Sequence, residues 1–145
     1  MKLYNALSHK VEEFKPINPE QVKIYTCGPT VYSFAHIGNY TAYIYWDLLM
    51  RILKANGYGV KRVMNITDVG HLTSDGDEGE DKMEKGARRE GKTVWEVAQF
   101  YMDDFMKNFH ELGLIEPDEV CRATDFVEAQ MKMVDLLDEK GYLYD

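Results

Sequence analysis

The sequence predicts an α/β fold: a Rossmann-like parallel sheet with a helical insertion after the second strand. The segment Gln21–Thr26 (QVKIYT) is short and rich in β-forming residues, and it stops at the turn-forming sequence CGP. A helical pattern runs from His36 to Ala55, and Val60–Ile66 (VKRVMNI) then has the composition of a second strand. A strand, a loop, a helix and a strand in this order predict a parallel βαβ unit with a right-handed crossover.

An opening arm precedes this unit. Two short pieces of it, Lys2–Tyr4 and Val11–Phe14, have β-like composition. Pro16 and Pro19 then interrupt regular structure. We expect the arm to pack on an edge of the domain.

The first helix is predicted to bury one apolar face, because apolar residues recur along it at helical spacing. The residues of that predicted face are Tyr45, Leu48, Leu49, Ile52 and Leu53. Asn56-Gly57 supplies the left-handed residue with which many helices end.

A polar and acidic stretch, Thr67–Lys82, follows the second strand. We interpret Ser74–Asp81 as a solvated loop, because its acidic residues lack the ligand order of an EF-hand. For the same reason His71, just before it, is not assigned to a metal site. The next residues, Lys82–Lys85, have the pattern of a helix start.

Two further helices are predicted in the carboxyl-terminal half. Thr93 and Glu96 have the spacing of a capping box, and the apolar stripe behind them is assigned to the core: Val94, Ala98, Tyr101, Met102, Phe105, Phe109 and Leu112. The sequence EPD at 116–118 then breaks the chain. A last helix is predicted to be capped by Thr124 or Asp125 and closed by Gly141, with its inner face made of Val127, Met131, Val134 and Leu137.

Composition limits the classes of function. Of the 145 residues, 45% are hydrophobic, so a disordered chain is not expected. The formal net charge of −8 argues against tight nucleic-acid binding by this chain alone, since phosphate binding depends on Lys and Arg. Two cysteines, Cys27 and Cys121, are too few for a disulfide scaffold and indicate a reducing, cytoplasmic setting. No apolar run approaches roughly 18 residues, so neither a membrane span nor a membrane partner is expected.

The segment at 27–39, CGPTVYSFAHIGN, is the strongest candidate site, because it joins the carboxyl end of a strand to the amino end of a helix. Ligands bind at such junctions in open α/β sheets, and the free N–H groups of a helix start suit phosphate. His36 and Asn39 would share one face of the first helical turn and can both donate hydrogen bonds. Gly38 leaves the backbone open to a ligand. The alternative is that His36 only caps the helix.

Four short motifs carry a resemblance to a known family. HIGN at 36–39 resembles the HIGH signature of class I aminoacyl-tRNA synthetases, and the preceding CGPTVY at 27–32 is similar to the cysteinyl-tRNA synthetase family. VMNITD at 63–68 and CRAT at 121–124 fit the same family in order and spacing. The similarity runs from about residue 2 to residue 145. It implies a Rossmann-like parallel nucleotide-binding half-domain of the class I synthetase type. Residues 1–145 would be one domain, the amino-terminal portion of the catalytic domain, with its helical part at about 78–145.

The resemblance also implies a reaction. ATP and cysteine would give cysteinyl-adenylate and pyrophosphate, with Mg²⁺ accompanying ATP, and cysteine would then pass to tRNA(Cys). By the same resemblance His36 and Asn39 would be catalytic contacts to the ATP phosphates, and Gly38 would leave room for the nucleotide. Catalysis of this kind depends on positioning and on electrostatic stabilisation of the phosphate oxygens.

The family holds a zinc ion that binds the substrate thiolate, and the resemblance makes Cys27 its first ligand. The other family ligands come later than this chain, so we expect its zinc site to be incomplete. The alternative for Cys27 is a small buried residue at a strand end. Gly28, Thr30 and Thr67 are implied contacts to the substrates, with turn and capping roles as the alternatives. Asp68 would either receive the ammonium of cysteine or cap a loop.

The chain departs from the family pattern at several points. Asn39 replaces the second His of HIGH, and Tyr40-Thr41 stands where many relatives have a small residue and then Arg. The KMSKS loop, the later zinc ligands and the anticodon-reading region are absent. We therefore expect a portion of a longer protein that folds but adenylates poorly alone. Two other functions stay open: a cysteine ligase of mycothiol synthesis, and a non-catalytic nucleotide-binding module.

Overall fold

A computed structural model of the chain describes residues 1–69, 87–88 and 91–144. Along the chain the elements are β1 (Lys2–Asn5), β2 (Lys10–Glu13), β3 (Gln21–Thr26), α1 (Ile37–Ala55), β4 (Gly59–Ile66), α2 (Val94–Glu111), β5 (Glu119–Arg122), a 3₁₀ helix (Ala123–Phe126) and α3 (Val127–Glu139). The α/β fold predicted from the sequence is confirmed. The acidic loop at 74–81, His71 and the predicted helix start at 82–85 lie outside the described residues.

The main sheet is parallel and has the strand order β3-β4-β5. β4 is the middle strand, and from Arg62 to Ile66 its residues alternate between buried and half-buried, as expected when helices cover one face of the sheet. β5 was not predicted from the sequence. It has only four residues, none of them fully buried, so its hydrophobic pattern is too short to indicate a strand without its neighbour.

α1 and α2 pack on the same face of this sheet. The core between them contains Tyr43 of α1, Met64 and Ile66 of β4, and Phe105 and Phe109 of α2. The ring of Tyr43 meets that of Phe105 edge to face, with 5.0 Å between centroids. Aromatic pairs of this geometry add to the stability gained from burial alone.

The apolar face predicted for α1 was mostly wrong. The buried residues are Tyr43, Asp47, Met50 and Leu53, and Leu53 is the only one of them that was predicted. Tyr45, Leu48 and Ile52 are exposed. The helix turns Tyr43 inward because α2 offers it an aromatic partner surface. Met50 is buried where its sulfur accepts from the guanidinium of Arg62 at 3.7 Å, and Asp47 is buried because it accepts a hydrogen bond from the backbone N–H of Ile115 at 2.8 Å.

The predicted start and core face of α2 are confirmed. Thr93 is the N-cap, and Thr93 and Glu96 form the reciprocal capping box. The buried residues are Val97, Ala98, Tyr101, Phe105 and Phe109, with Val94 and Met102 packed against them. Leu112, at the end of the predicted stripe, is exposed because it lies beyond the last turn of the helix.

The last helix differs from its prediction. It begins at Val127, after a 3₁₀ turn, and its N-cap Phe126 makes no side-chain capping bond. Neither Thr124 nor Asp125 caps it, because Thr124 is bonded to Asp68 at the end of β4 instead. The predicted inner residues Met131 and Val134 are exposed, and α3 has no buried residue.

The opening arm forms an antiparallel hairpin of β1 and β2. Directly after it, the ring of Phe14 contacts that of Tyr58 edge to face at 5.6 Å, between α1 and β4. The arm therefore meets the α/β unit at the start of β4. Within the described ranges, none of the helices combines the length and apolar composition that a membrane crossing requires.

A buried cation supports the end of β3. Arg62 is 0% exposed, and its Nε donates to the hydroxyl of Thr26 at 3.0 Å. Burial lowers the pKa of Arg62, and nearby Asp47 opposes that shift. Thr26 is the residue before the CGP turn, so the core holds the strand end from which the candidate site starts.

Candidate functional site

The first turn of α1 is a reciprocal capping box made of the two predicted catalytic residues. His36 is the N-cap, and its Nδ1 accepts a hydrogen bond from the N–H of Gly38 at 3.0 Å. In return, Oδ1 of Asn39 accepts from the N–H of His36 at 3.0 Å. Capping groups of this kind satisfy N–H groups that a helix start leaves unpaired. The capping role weighed for His36 in the sequence is thus present.

The capping bonds decide which polar atoms remain available. With Nδ1 of His36 acting as acceptor, the neutral ring carries its proton on Nε2. Asn39 uses its oxygen in the cap, so its Nδ2 keeps two N–H groups. No residue that the structure describes bonds to either nitrogen, and both side chains are exposed. The first turn of α1 contains no acidic residue. It therefore presents only donors and the positive end of the helix dipole.

Gly38 makes room for the imidazole ring. A Cβ placed on Gly38 would lie 2.9 Å from Cε1 and 3.0 Å from Nδ1 of His36. The sequence argument gave a different reason, the close approach of a ligand to the backbone. In the structure the space beside the Gly38 Cα is filled by the ring of the N-cap residue itself, so any larger residue here would displace His36.

A cavity of about 180 Å³ lies beside this helix start. Its wall is made by the loop between β3 and α1, one residue of the first turn of α1 and two aromatic side chains of α2: Pro29, Thr30, Val31, Tyr32, Ser33, Phe34, Ala35, His36, Asn39, Tyr101 and Phe105. Three predicted site residues, Thr30, His36 and Asn39, are thus brought to one concave surface. Cys27, Gly28 and Thr67 are not part of its lining.

Thr30 and Thr67 lie side by side. The loop after β3 runs parallel to the end of β4, with an isolated bridge between these two residues. Two backbone hydrogen bonds make it: Val31 N–H donates to the oxygen of Thr67 at 3.1 Å, and Thr67 N–H donates to that of Pro29 at 3.0 Å. Thr67 is therefore connected to the cavity wall through its neighbour Thr30.

Asn65 links the two halves of the site and was missed in the sequence. Its Oδ1 accepts from the N–H of Gly28 at 2.9 Å, and its Nδ2 donates to the hydroxyl of Thr67 at 3.3 Å. Gly28 is so close to this strand that an added Cβ would lie 1.6 Å from the backbone oxygen of Asn65. The available signal was an Asn inside a strand, a position where Asn is disfavoured and so needs a partner.

Cys27 has an exposed thiol, and Cys121 on β5 is half-buried. The small-buried-residue alternative for Cys27 is therefore wrong. Residues 1–69, 87–88 and 91–144 hold no group of three or more His, Cys, Asp or Glu side chains suited to a metal. A structural or catalytic zinc ion needs at least three protein ligands. Cys27 fits as one soft ligand, but the described residues do not complete a site.

Asp68 has the loop-capping role that the sequence left as one of two alternatives. It is 2% exposed, and both carboxylate oxygens accept from Thr124, from its N–H at 3.0 Å and its hydroxyl at 2.6 Å. Nε of Arg122 lies 3.6 Å from the same carboxylate. The carboxylate thus fastens the end of β4 to β5 and is not open to a substrate ammonium group.

Tyr40 and Thr41, the departures from the family motif, have structural contacts. The ring of Tyr40 stacks on that of Phe105 at 5.8 Å with an interplanar angle of 12°, so it docks α2 against the start of α1. Burial raises the pKa of Tyr40. The hydroxyl of Thr41 donates to the oxygen of Ile37 within the helix at 2.8 Å.

Comparison with known proteins gives one consistent family. Residues 13–145 match the model of the class I (C) tRNA synthetase catalytic domain. A cysteine–tRNA ligase 1 of Burkholderia lata is 53% identical over 144 residues, which is 99% of this chain and 31% of that protein. Cysteine–tRNA ligases of Zymomonas mobilis and Treponema denticola are 48% and 45% identical over 97% and 99% of this chain, and it covers 27% and 29% of them. The chain thus spans about a third of the length of these relatives.

Proposed function

The chain belongs to this family of class I tRNA synthetase catalytic domains, and we propose that it supplies the ATP-binding and cysteine-binding part of a cysteine–tRNA ligase. The reaction has two steps. ATP and cysteine form cysteinyl-adenylate with release of pyrophosphate, and the cysteinyl group then passes to the 3′ end of tRNA(Cys). The observation that carries the proposal is a pair of donors that no described residue uses, Nε2 of His36 and Nδ2 of Asn39, at a helix start beside a cavity.

These donors suit the phosphates of ATP. In the first step a carboxylate oxygen of cysteine attacks the α-phosphorus, the bond from phosphorus to the bridging oxygen breaks, and pyrophosphate leaves with the electron pair. Negative charge builds on the phosphate oxygens during this exchange. Fixed N–H groups of His36 and Asn39 and the positive end of α1 stabilise that charge without moving. The caps hold both side chains in place before ATP arrives.

The amino-acid side of the reaction is assigned to Cys27, Gly28, Thr30 and Thr67. Thr30 and Thr67 are paired at the carboxyl ends of β3 and β4, and Gly28 and the exposed Cys27 precede Thr30 in the loop after β3. The thiolate of Cys27 would be one ligand of a zinc ion whose other ligands lie outside the described residues. Bound zinc would select a sulfur-containing substrate over serine, because zinc favours thiolate.

Mg²⁺ and tRNA are assigned to the whole ligase. Mg²⁺ would arrive with the ATP phosphates, since the start of α1 offers donors and no carboxylate. The net charge of −8 leaves tRNA binding mainly to the remainder of a longer protein. A ligase of this class acts where tRNA is charged, so we assign it to the cytoplasm.

A hybrid ligase tests this proposal. The chain would replace the matching amino-terminal segment of the Burkholderia lata ligase, of which it covers 31%. We expect cysteine-dependent ATP–pyrophosphate exchange and charging of tRNA(Cys), both lost on removal of zinc. The native Burkholderia lata ligase is the positive control, and circular dichroism checks that the hybrid is folded.

The outcomes separate the alternatives. The acceptor is tested in the proposed full-length ligase, because most of the hybrid comes from the Burkholderia lata enzyme. Activation of cysteine followed by transfer only to an amino-sugar acceptor would point to the mycothiol type of cysteine ligase. A folded hybrid that binds ATP but shows no exchange would favour a non-catalytic nucleotide-binding module. Either result would overturn the proposed charging of tRNA.

A further inference from the structure

We propose that Asn65 is a positioning residue of the site, which fixes the CGP turn and sets the direction of the Thr67 hydroxyl proton. This inference rests on the proposed function, because it concerns the residues to which we assign binding of the substrate cysteine. It starts from the carboxamide of Asn65, whose two ends contact two different site residues. The two contacts join the loop after β3 to the end of β4.

The orientation of the carboxamide follows from its partners. The backbone N–H of Gly28 can only donate, so the atom that faces it at 2.9 Å must be the oxygen of Asn65. The nitrogen therefore faces Thr67, whose hydroxyl oxygen accepts at 3.3 Å. A hydroxyl that accepts from Asn65 keeps its own proton for another partner. Thr67 is thus prepared to donate to an acceptor group on a bound amino acid, such as its carboxylate.

The same carboxamide keeps the CGP turn against β4. Gly28 lies so close to Asn65 that a Cβ would overlap the Asn65 backbone oxygen at 1.6 Å, so the turn has no freedom toward the strand. Next to it, the Thr30–Thr67 bridge ties the far end of the loop to the same strand. Asn65 therefore fixes both the position of the turn that contains Cys27 and the direction in which the Thr67 hydroxyl donates its hydrogen bond.

The two contacts are separable by substitution. Asn65→Asp keeps an oxygen for the Gly28 N–H, but its second oxygen accepts from Thr67 instead of donating to it. Asn65→Ala removes both contacts. Thr67→Val removes the hydroxyl and keeps the shape of the side chain. A double-mutant cycle with these variants isolates the part of Asn65 that acts through Thr67.

The cycle is measured in the hybrid ligase, by cysteine-dependent exchange. We expect Asn65→Asp to lower kcat/KM for cysteine about tenfold, which corresponds to a rise of about 1.4 kcal/mol in the activation free energy. The KM for ATP should not change. In the Thr67→Val background the same change should alter kcat/KM for cysteine less than about twofold. An equal loss in both backgrounds, or an equal loss for ATP and cysteine, would overturn the role assigned through Thr67.

A second measurement does not depend on catalysis. Hydrogen exchange of the Gly28 amide in the 145-residue chain reports the contact to Oδ1 directly. We expect slow exchange with Asn65 and with Asn65→Asp, and exchange at least about tenfold faster with Asn65→Ala. Unchanged protection in the Ala variant would overturn the fixing of the turn. If the unmutated hybrid fails to activate cysteine, the proposed function fails, and this measurement still decides the structural role of Asn65.

Discussion

Helices α1 and α2 both begin with a capping box, and they differ in the side-chain hydrogen-bonding atoms that remain available after capping. At the start of α2, the Thr93 hydroxyl and the Glu96 carboxylate bond to each other and to each other's backbone N–H groups. At the start of α1, His36 and Asn39 each use one polar atom for the cap and keep a donor free of the described residues. Of these two helix starts, only that of α1 borders the cavity through both of its capping residues.

The difference shows that a capping box is not in itself a binding site. At α2 a carboxylate lies over the helix start, so the positive end of the helix dipole is already neutralised and phosphate would be repelled. At α1 the first turn has no acidic residue, and the remaining side-chain atoms are N–H donors. What a helix start can bind depends on the hydrogen-bond donors, acceptors and charges that remain after capping.

Asn39→Asp is expected to have the largest effect on this contrast. The new carboxylate can still accept from the His36 N–H, so the cap survives, but the Nδ2 donor is replaced by a negative charge beside the site proposed for the ATP phosphates. Loss of a hydrogen bond to a charged group, about 1.5–3 kcal/mol, predicts a fall of roughly 10- to 100-fold in kcat/KM for ATP. The measurement is pyrophosphate exchange in the hybrid ligase.

Thermal unfolding of the chain is the matched control for that variant. Asn39→Asp should leave the melting temperature equal or slightly higher, since an anion at a helix start is favourable. Asn39→Ala removes the cap as well and should lower it. An Asp variant with unchanged kcat/KM for ATP would mean that the free amide of Asn39 does not face the phosphates.

Thr93→Ala addresses the other helix. Loss of the N-cap hydroxyl should lower the free energy of unfolding by about 1 kcal/mol. The KM for ATP should stay the same, because neither Thr93 nor Glu96 borders the cavity. Urea unfolding of the chain and exchange kinetics of the hybrid ligase measure the two quantities, with Thr93→Ser as the variant that keeps the cap. A raised KM for ATP would show that the cap of α2 also supports the site through Tyr101 and Phe105.

The smallest expected effect is on the acid stability of α2. Hydrogen bonds from the Thr93 N–H and hydroxyl lower the pKa of Glu96 below its usual 4.5 in the folded chain. A lowered folded pKa means that the stabilisation is present above pH 4.5 and is lost as the pH falls through the folded value. Glu96→Gln should therefore show a shallower loss of stability below pH 4.5 than the parent chain. Urea midpoints across this range measure it.

Glu128→Gln is the comparison variant for that titration. Glu128 lies in the first turn of α3, where the N-cap makes no side-chain bond. This substitution should change the slope less than Glu96→Gln does, because Glu96 accepts hydrogen bonds from the Thr93 N–H and hydroxyl. If both Gln variants flatten the slope equally, the effect comes from charge in general and not from the capping box of α2.

Local signals predicted a large part of the fold. The strand Gln21–Thr26 was predicted with the bounds that the structure has, and α1 was predicted to within one residue, His36 being its cap. The box of Thr93 and Glu96 and the left-handed Gly57 were also correct. Each of these depends on residues a few positions apart, so the sequence contains all the information that determines them.

Contacts between segments far apart in the sequence could not be predicted from local patterns. Asn65 and Gly28 are 37 positions apart, and Asp68 meets Thr124 over 56. Composition did not indicate either pair, because nothing in a local window shows which strand or turn will lie alongside. The site residues Thr30 and Thr67 came from resemblance to a family, and only the parallel bridge explains why they belong together.

Amphipathic pattern indicated helices but not their burial. The stripe of α2 was predicted and is buried, whereas the similar stripe of α3 is exposed. In α1, Tyr43 and Met50 were buried in preference to Leu48 and Ile52, because the ring of Phe105 and the buried side chain of Arg62 lie on that side. Which face of a helix is buried depends on the neighbouring element that packs against it. The sequence of the helix alone shows only which faces could be buried.

The sequence by itself determined the strand-turn-helix order, the capping box of Thr93 and Glu96, and the family, since these follow from residue types at short spacing. The tertiary structure decided which face of each helix is buried, that β5 joins the sheet, and that Asn65 lies between Gly28 and Thr67. The physical reason is range: hydrogen bonds within one turn are encoded locally, while packing and cross-strand bonds exist only once the chain has brought distant residues together.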